Sequence, residues 1–390
     1  MTPPPAVHLL IASPHGIIPL SDNNAGVFLP QDAHGDLRPL RYGPYLQSIH
    51  QYLAQDGYRL VLQALQNHFA LPEPPPAVDH LEIISEKHGA LYHVIHLNVR
   101  AGEQTASFAL NIALSCEQKA FLLSDFAVLN ELHLKFHHPH ITRAYFQGEA
   151  FYHDARRNAL HSMAIMMTEW FEDHHEFHLS LEKSGARARI KVWESSGNDR
   201  WLDAEETVDL YRLASAILTA GLDTDDFRQI YPWHHAAGDF IIKRERGGLS
   251  VKLITARDYR CLTPDAAASG NKWAAILCFF LNLSLRMRLD RLDGTGDLAW
   301  ADAACLQGVL DGFLMAWTEK VCRDPSLPSS RNVLEVLGSF DPDEWMAVGE
   351  MALEQGVVEQ EEIPFLRMCL REHLKDLVTT IQRTKSEQVQ

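Results

Sequence analysis

Positive charge is in short supply: 35 Lys and Arg stand against 51 Asp and Glu, a formal net charge of −16. So acidic a chain lacks the clustered cations that displace counterions from a nucleic-acid backbone or dock on anionic lipid, so neither nucleic acid nor a membrane is expected as a partner. Long apolar runs are missing too. The most apolar stretch, Trp273 to Leu283, is interrupted by Asn282 and is too short to cross a bilayer. The opening "MTPPPAVHLLIASPHG" has neither the basic start nor the unbroken apolar segment of a secretory leader, and a cytoplasmic location is expected. Cysteine pairing is absent as well. Cys116, Cys261, Cys278, Cys305, Cys322 and Cys369 stand singly, with no C-x-x-C, which argues against a zinc ribbon or redox pair and for reduced, mostly buried thiols.

What the sequence does have is 390 residues, 46% of them hydrophobic, enough for a sizeable core and two or three structural units. Residues 1–78 read as an N-terminal extension. It holds a strand at Val7–Ile11 and one helix across Tyr45–Phe69, with Tyr52, Leu53, Leu60, Leu62, Leu65 and Phe69 at helical spacing. The prolines of "LPEPPPA" at 71–77 stop that helix. Strand signals follow: "HLEIISEKHG", "LYHVIHLNVR" with His93, Ile95, Leu97 and Val99 on one face, and "TASFALNIAL" with Phe108, Leu110 and Ile112 on one face. Residues 117–136 read as a helix and 163–171 as a further strand. Together these predict a small antiparallel sheet with one helix.

From residue 203 the pattern turns helical. Asp203 with Glu206 three residues on is a capping box, opening a helix that runs to Gly221. A hairpin follows, Phe240–Ile242 with Val251–Ile254, and then helices over 271–290, 302–322, 331–338, 342–355 and 361–383. "RLDRLDG" at 288–294 reads as a helix end with Gly294 as its stop.

Several local stretches resemble, in order, the protein-kinase-like superfamily, in particular its aminoglycoside-phosphotransferase-like branch. "NELHLKFHHPHITRAYFQGEA" is similar to the end of the kinase C-helix and its "HPNI" turn. "MTEWFEDHHEF" resembles the hinge. "HHAAGDFIIK" followed by "VKLITARDY" resembles the catalytic loop and the metal-binding strand. The resemblance spans roughly 79–320. It implies a two-lobe kinase-like α+β fold, with a small antiparallel-sheet N-lobe and hinge at 79–178, a helical C-lobe at 179–323 and a helical C-terminal extension at 324–390.

Against that family's motifs the chemistry is depleted. The strand lysine that holds the nucleotide phosphates is Asn111, the catalytic aspartate is His234, the asparagine magnesium ligand is Asp239, and the second magnesium aspartate is Thr255. The turn between the first two strands has Gly89 alone, so no glycine-rich phosphate cradle is present. The resemblance therefore implies a degenerate, pseudokinase-like protein. It would hold a nucleotide or other small ligand between the lobes, with ATP and magnesium bound weakly if at all, or would scaffold a protein partner. Asn111, Thr255 and the backbone of Glu169 and Phe171 would line that site. An active atypical phosphotransferase, with Asp239 as metal ligand and His234 as base, is the rival reading.

Each residue also has a plainer reading. Asn111 is either a polar residue facing a ligand or a strand residue bonded to a neighbour. His234 and His235 either serve as base or pack in the turn after Trp233. Asp239 is either a metal-binding carboxylate or an acceptor that holds the fold, and Arg257 with Asp258 either meets a ligand or pairs on the surface. His174 and His178 would share a face if their segment were helical, the arrangement a zinc enzyme uses. A histidine-rich surface turn is the favoured reading there, as it is around His137, His138 and His140.

Overall fold

The computed structural model describes residues 4–13, 16–29, 40–88, 92–154, 159–182, 188–194, 199–233, 238–265, 270–354 and 360–389. The fold is α+β, in two compact units: Met1–Glu131 with Thr142–Asp173, and Leu132–Ile141 with His174–Gln390.

The first unit is built on β1 (Ala6–Ser13), β2 (Gly16–Pro19), α1 (Tyr42–Leu53), α2 (Arg59–His68), β3 (His80–His88), β4 (His93–Ala101), β5 (Gln104–Ala113), α3 (Cys116–Phe136), β6 (Ala144–Asp154) and β7 (Ala159–Glu169). Its strands form one sheet in the order β2-β1-β3-β4-β5-β7-β6, antiparallel except where β1 runs parallel to β3. Strict alternation along β4 buries His93, Ile95, Leu97, Val99 and Ala101 on one face. Leu81, Ile83, Phe108, Leu110, Ile165 and Met167 continue that face, and α1 and α2 cover it with Tyr45, Leu46, Ile49, Val61 and Leu65. The segment 1–78 thus supplies two strands and the covering layer of the same sheet.

Two sequence expectations need correction here. The single helix over Tyr45–Phe69 is two helices, because Asp56, Gly57 and Tyr58 all take positive φ (50°, 67° and 64°), which no right-handed helix passes through. The apolar spacing continues across the break and hides it. Strand β6 was not foreseen, since Gly148 sits in its middle and weakens the strand signal. That glycine has a packing reason: a Cβ there would run into the phenol of Tyr52 on α1.

The second unit opens with a small sheet, β8 (Phe177–Leu181), β9 (Ala188–Val192) and β10 (Arg200–Trp201), in the order β10-β9-β8. These strands are too short for periodicity to reveal. Then come α4 (Ala204–Ala220), β11 (Arg228–Ile230), the hairpin β12 (Phe240–Glu245) and β13 (Gly248–Leu253), β14 (Tyr259–Cys261), and α5 (Lys272–Arg288). The remainder is β15 (Leu289–Arg291), β16 (Leu298–Trp300), α6 (Cys305–Arg323), α7 (Ser330–Leu337), α8 (Pro342–Glu354) and α9 (Ile363–Val389). The capping box is as expected: Glu206 N–H donates to Asp203 Oδ1 (2.9 Å) and Asp203 N–H to Glu206 Oε2 (3.2 Å). Gly294 does not stop α5, which ends at Arg288; it closes a 3₁₀ turn at Leu292–Gly294.

Helices α4 and α6 approach closely because Gly308 and Gly312 lie one turn apart on α6. A Cβ on either would collide with the α4 backbone at Val208 or Arg212, and Ser215 Oγ donates to Val309 O at 2.7 Å across the same contact. Gly312→Ala should therefore lower stability by about 1–3 kcal/mol, measured by denaturant unfolding.

Under α5 lies His373 of α9, fully buried, with Nε2 3.1 Å from Ser284 Oγ. Burial, with a smaller contribution from Arg288, pushes the imidazole down to about 3. The folded chain keeps this ring neutral, while the unfolded chain protonates it below about 6.5. Its contribution is thus complete above that pH and declines as pH falls toward about 3. Unfolding free energies measured between pH 7 and pH 5 should fall, with a smaller slope in His373→Gln.

Candidate functional site

The hairpin β12–β13 positions the residues of interest in the second unit. Its register pairs Phe240 with Leu253, so Asp239 stands one residue before one strand and Ile254 and Thr255 just beyond the other. Ile254 N–H donates to Asp239 O at 2.8 Å. The hairpin is held on both flanks. Leu253 N–H donates to His140 O (2.8 Å), while His175 and Ile242 exchange a pair of backbone bonds (2.8 and 2.9 Å). Gly238, with φ +78°, makes the bend before Asp239.

Asp239 is 2% exposed. Its Oδ1 accepts from Thr255 Oγ1 at 2.6 Å and from Arg257 Nη2 at 2.9 Å. The side chain of Arg257 is 21% exposed, so the ion pair is largely shielded from water. Of the two readings of Arg257, a ligand contact or a pair on the surface, the surface pair is corrected: the carboxylate that it meets, Asp239, is buried. The Asp239-x₁₅-Thr255-x-Arg257 spacing carried no recognisable motif, and the hairpin register is what joins the three.

Asn111 and Glu169 belong to the first unit. Asn111 lies opposite Val94 of β4 and Met166 of β7, and its Nδ2 is 3.4 Å from Thr168 Oγ1. At the end of β7, Glu169 exchanges bonds with Arg143: Glu169 N–H donates to Arg143 O, and Arg143 N–H to Glu169 Oε2, each at 3.1 Å. The backbone N–H of Glu169 therefore already has a protein acceptor. Phe171 is half-buried two residues on. His234 and His235 lie outside the described residues.

The helical reading of His174 and His178 is corrected. Phe177–Leu181 is a strand, and His178 is buried rather than part of a surface turn. Its ring packs 4.1 Å from the Trp193 ring, and Gly294 lies so close that a Cβ there would come within 2.7 Å of the imidazole. His174 Nε2 meets Ser250 Oγ at 3.1 Å and leans on the hairpin. Among the described residues no three His, Cys, Asp or Glu side chains come together to hold a metal ion.

No protein-family model matches the chain, and no curated protein sequence matches it. Among solved structures it is similar to a protein of Haemophilus somnus 129PT provisionally named a fructosamine-3-kinase. The two are 10% identical, over 84% of this chain and 98% of that one, with a TM-score of 0.25. At that score the likeness carries no structural argument.

If the Asp239–Arg257 pair holds the segment after the hairpin, a double-mutant cycle will register it. Asp239→Ala should cost about 3–5 kcal/mol, because it strands a shielded guanidinium. The cycle with Arg257→Ala should return a coupling of about 1–3 kcal/mol by chemical denaturation.

Proposed function

We propose that this chain is a kinase-like protein without phosphoryl-transfer activity, one that binds a nucleotide or other small ligand, or a protein partner, without turning it over. The observation that carries this reading is the partnership of Asp239. The family's chemistry would need this carboxylate, with a second one at position 255, to hold magnesium against phosphate oxygens. Position 255 is instead a threonine whose hydroxyl donates to Asp239, and a guanidinium 2.9 Å away supplies the compensating positive charge. Magnesium calls for oxygen ligands, and here Asp239 Oδ1 already faces two donors, one of them cationic. Arg257 takes the place of an ion as counter-charge, and the carboxylate serves the fold.

The substitutions read from the sequence point the same way. Asn111 offers no positive charge for a phosphate, and its amide lies within reach of Thr168 Oγ1. Glu169 N–H is engaged by Arg143. Removing general-base function costs an active enzyme a hundredfold or more, about 10²–10⁴. A protein with no transfer to lose shows no such effect.

The test is calorimetric titration with ATP, with and without magnesium, alongside a radiolabel transfer assay. Weak, magnesium-independent binding or none, and no transfer, is expected of the wild type. Micromolar magnesium-dependent affinity, lost in Asp239→Asn while the protein stays folded, would overturn the proposal in favour of a phosphotransferase using Asp239 and His234.

A further inference from the structure

The sheet of the first unit has two edges, and the sequence treats them differently. One is β2, 4 residues long and closed by Pro19, which has no N–H to offer a further strand. The other is β6, 11 residues long, with neither proline nor lysine in it. The one irregularity of β6 lies between Ala144 and Phe146, so its far half pairs with β7 in unbroken register from Gln147 opposite Met166 to Asp154 opposite Ala159. Among the described residues, the backbone of 147–152 finds no backbone partner other than β7. A long, regular strand with one open side is a template for another strand.

The side chains along that edge match a second copy of themselves. Alternation puts Ala150 and Tyr152 on the core face, both buried, and Glu149, Phe151 and His153 on the opposite face, all exposed. Turned antiparallel about a two-fold axis at Phe151, the stretch Glu149-Ala150-Phe151-Tyr152-His153 is complementary to itself. Glu149 of each copy faces His153 of the other, and an imidazole N–H donates to a carboxylate. Ala150 faces Tyr152, small against large, on both sides of the axis. Phe151 meets its own equivalent on the axis, an aromatic cross-strand pair. A parallel copy in register would instead set Glu149 against Glu149, which costs stability.

Apolar exposure follows the same edge. Phe151 is 51% exposed, and Leu160 of β7, which is opposite His153 and diagonal to Phe151, is 63% exposed. Pairing at this edge shields surface that the isolated chain leaves in water.

We propose that β6 is a dimerisation edge, at which two copies of this chain join antiparallel through Glu149–His153 and extend their sheets into one. The two-fold axis closes the assembly at two copies. The edge shares no residue with the Asp239 cluster, so the association is independent of whether the chain transfers phosphate.

The test is sedimentation velocity of the full chain over a wide range of concentration, with melting curves to confirm that each variant folds. The wild type is expected to be a dimer that dissociates on dilution. Phe151→Lys, which sets two ammonium groups together on the axis, should be a folded monomer. Glu149→Lys and His153→Glu should each weaken the dimer by roughly tenfold, since the axis counts every lost pair twice. Combined in one chain, these two substitutions should restore the dimer, because the lysine of one copy then meets the glutamate of the other. A wild type that stays monomeric at the highest concentration, or a folded Phe151→Lys that still dimerises, would overturn the proposal. So would single charge variants that associate undiminished, or a double variant no tighter than the single ones.

Discussion

A carboxylate taken out of water must be answered by charge and hydrogen bonds, and much of the second unit's arrangement around its hairpin follows from how Asp239 is answered. The hydroxyl of Thr255 and the guanidinium of Arg257 reach it only because β12 and β13 pair in one register. A slip of one residue would send Asp239 to the opposite face and leave Arg257 shielded without its carboxylate. Backbone bonds to His140 on one flank and His175 on the other hold that register. The local chemistry and the strand pairing are therefore a single constraint.

Much of the fold was legible because it rests on long, regular periodicities. The alternation along β4 and β5, the helical spacing of α3, the Asp203–Glu206 box and the hairpin each encode themselves within about ten residues. What escaped depends on contacts distant in sequence or on backbone conformation. The break at Asp56–Tyr58 lies in φ angles that apolar spacing does not report. Strand β6 is masked by Gly148, a glycine that answers to Tyr52, almost a hundred residues earlier. Strands β8 to β10 are short and separated by charged segments, so each is defined by its neighbour rather than by its own sequence.

The candidate site divides along the same line. That Asp239 precedes an apolar strand, and so was a residue to watch, could be read directly. That its partner is Arg257 could not, because the link runs through the register of a hairpin. Histidine misled for a related reason. A cluster of imidazoles suggests metal or a solvated turn, yet His178 is held between Trp193 and the backbone at Gly294, and His174 leans on Ser250. Residue type alone carries none of this.

Cations, besides buried Ile141 and the backbone bond from Leu253 to His140, hold the turn at 138–141 in the second unit. Lys135, in the last turn of α3, pairs with the buried carboxylate of Asp223 just beyond α4. Lys320 of α6 donates to the carbonyls of Ala220 (2.9 Å) and Leu222 (2.5 Å), satisfying acceptors that the end of α4 leaves open, and its ammonium lies 5.0 Å from the Phe136 ring centroid. Burial lowers Lys320 to about 8, so at neutral pH the lysine keeps its proton in spite of its surroundings. Two lysines thus tie the end of α3 to α4 and α6, and the turn that follows is carried with it. The same arrangement sets His138 and His140 against the faces of α4 and α6, where burial, helped by nearby positive charge, lowers the pKa of both rings.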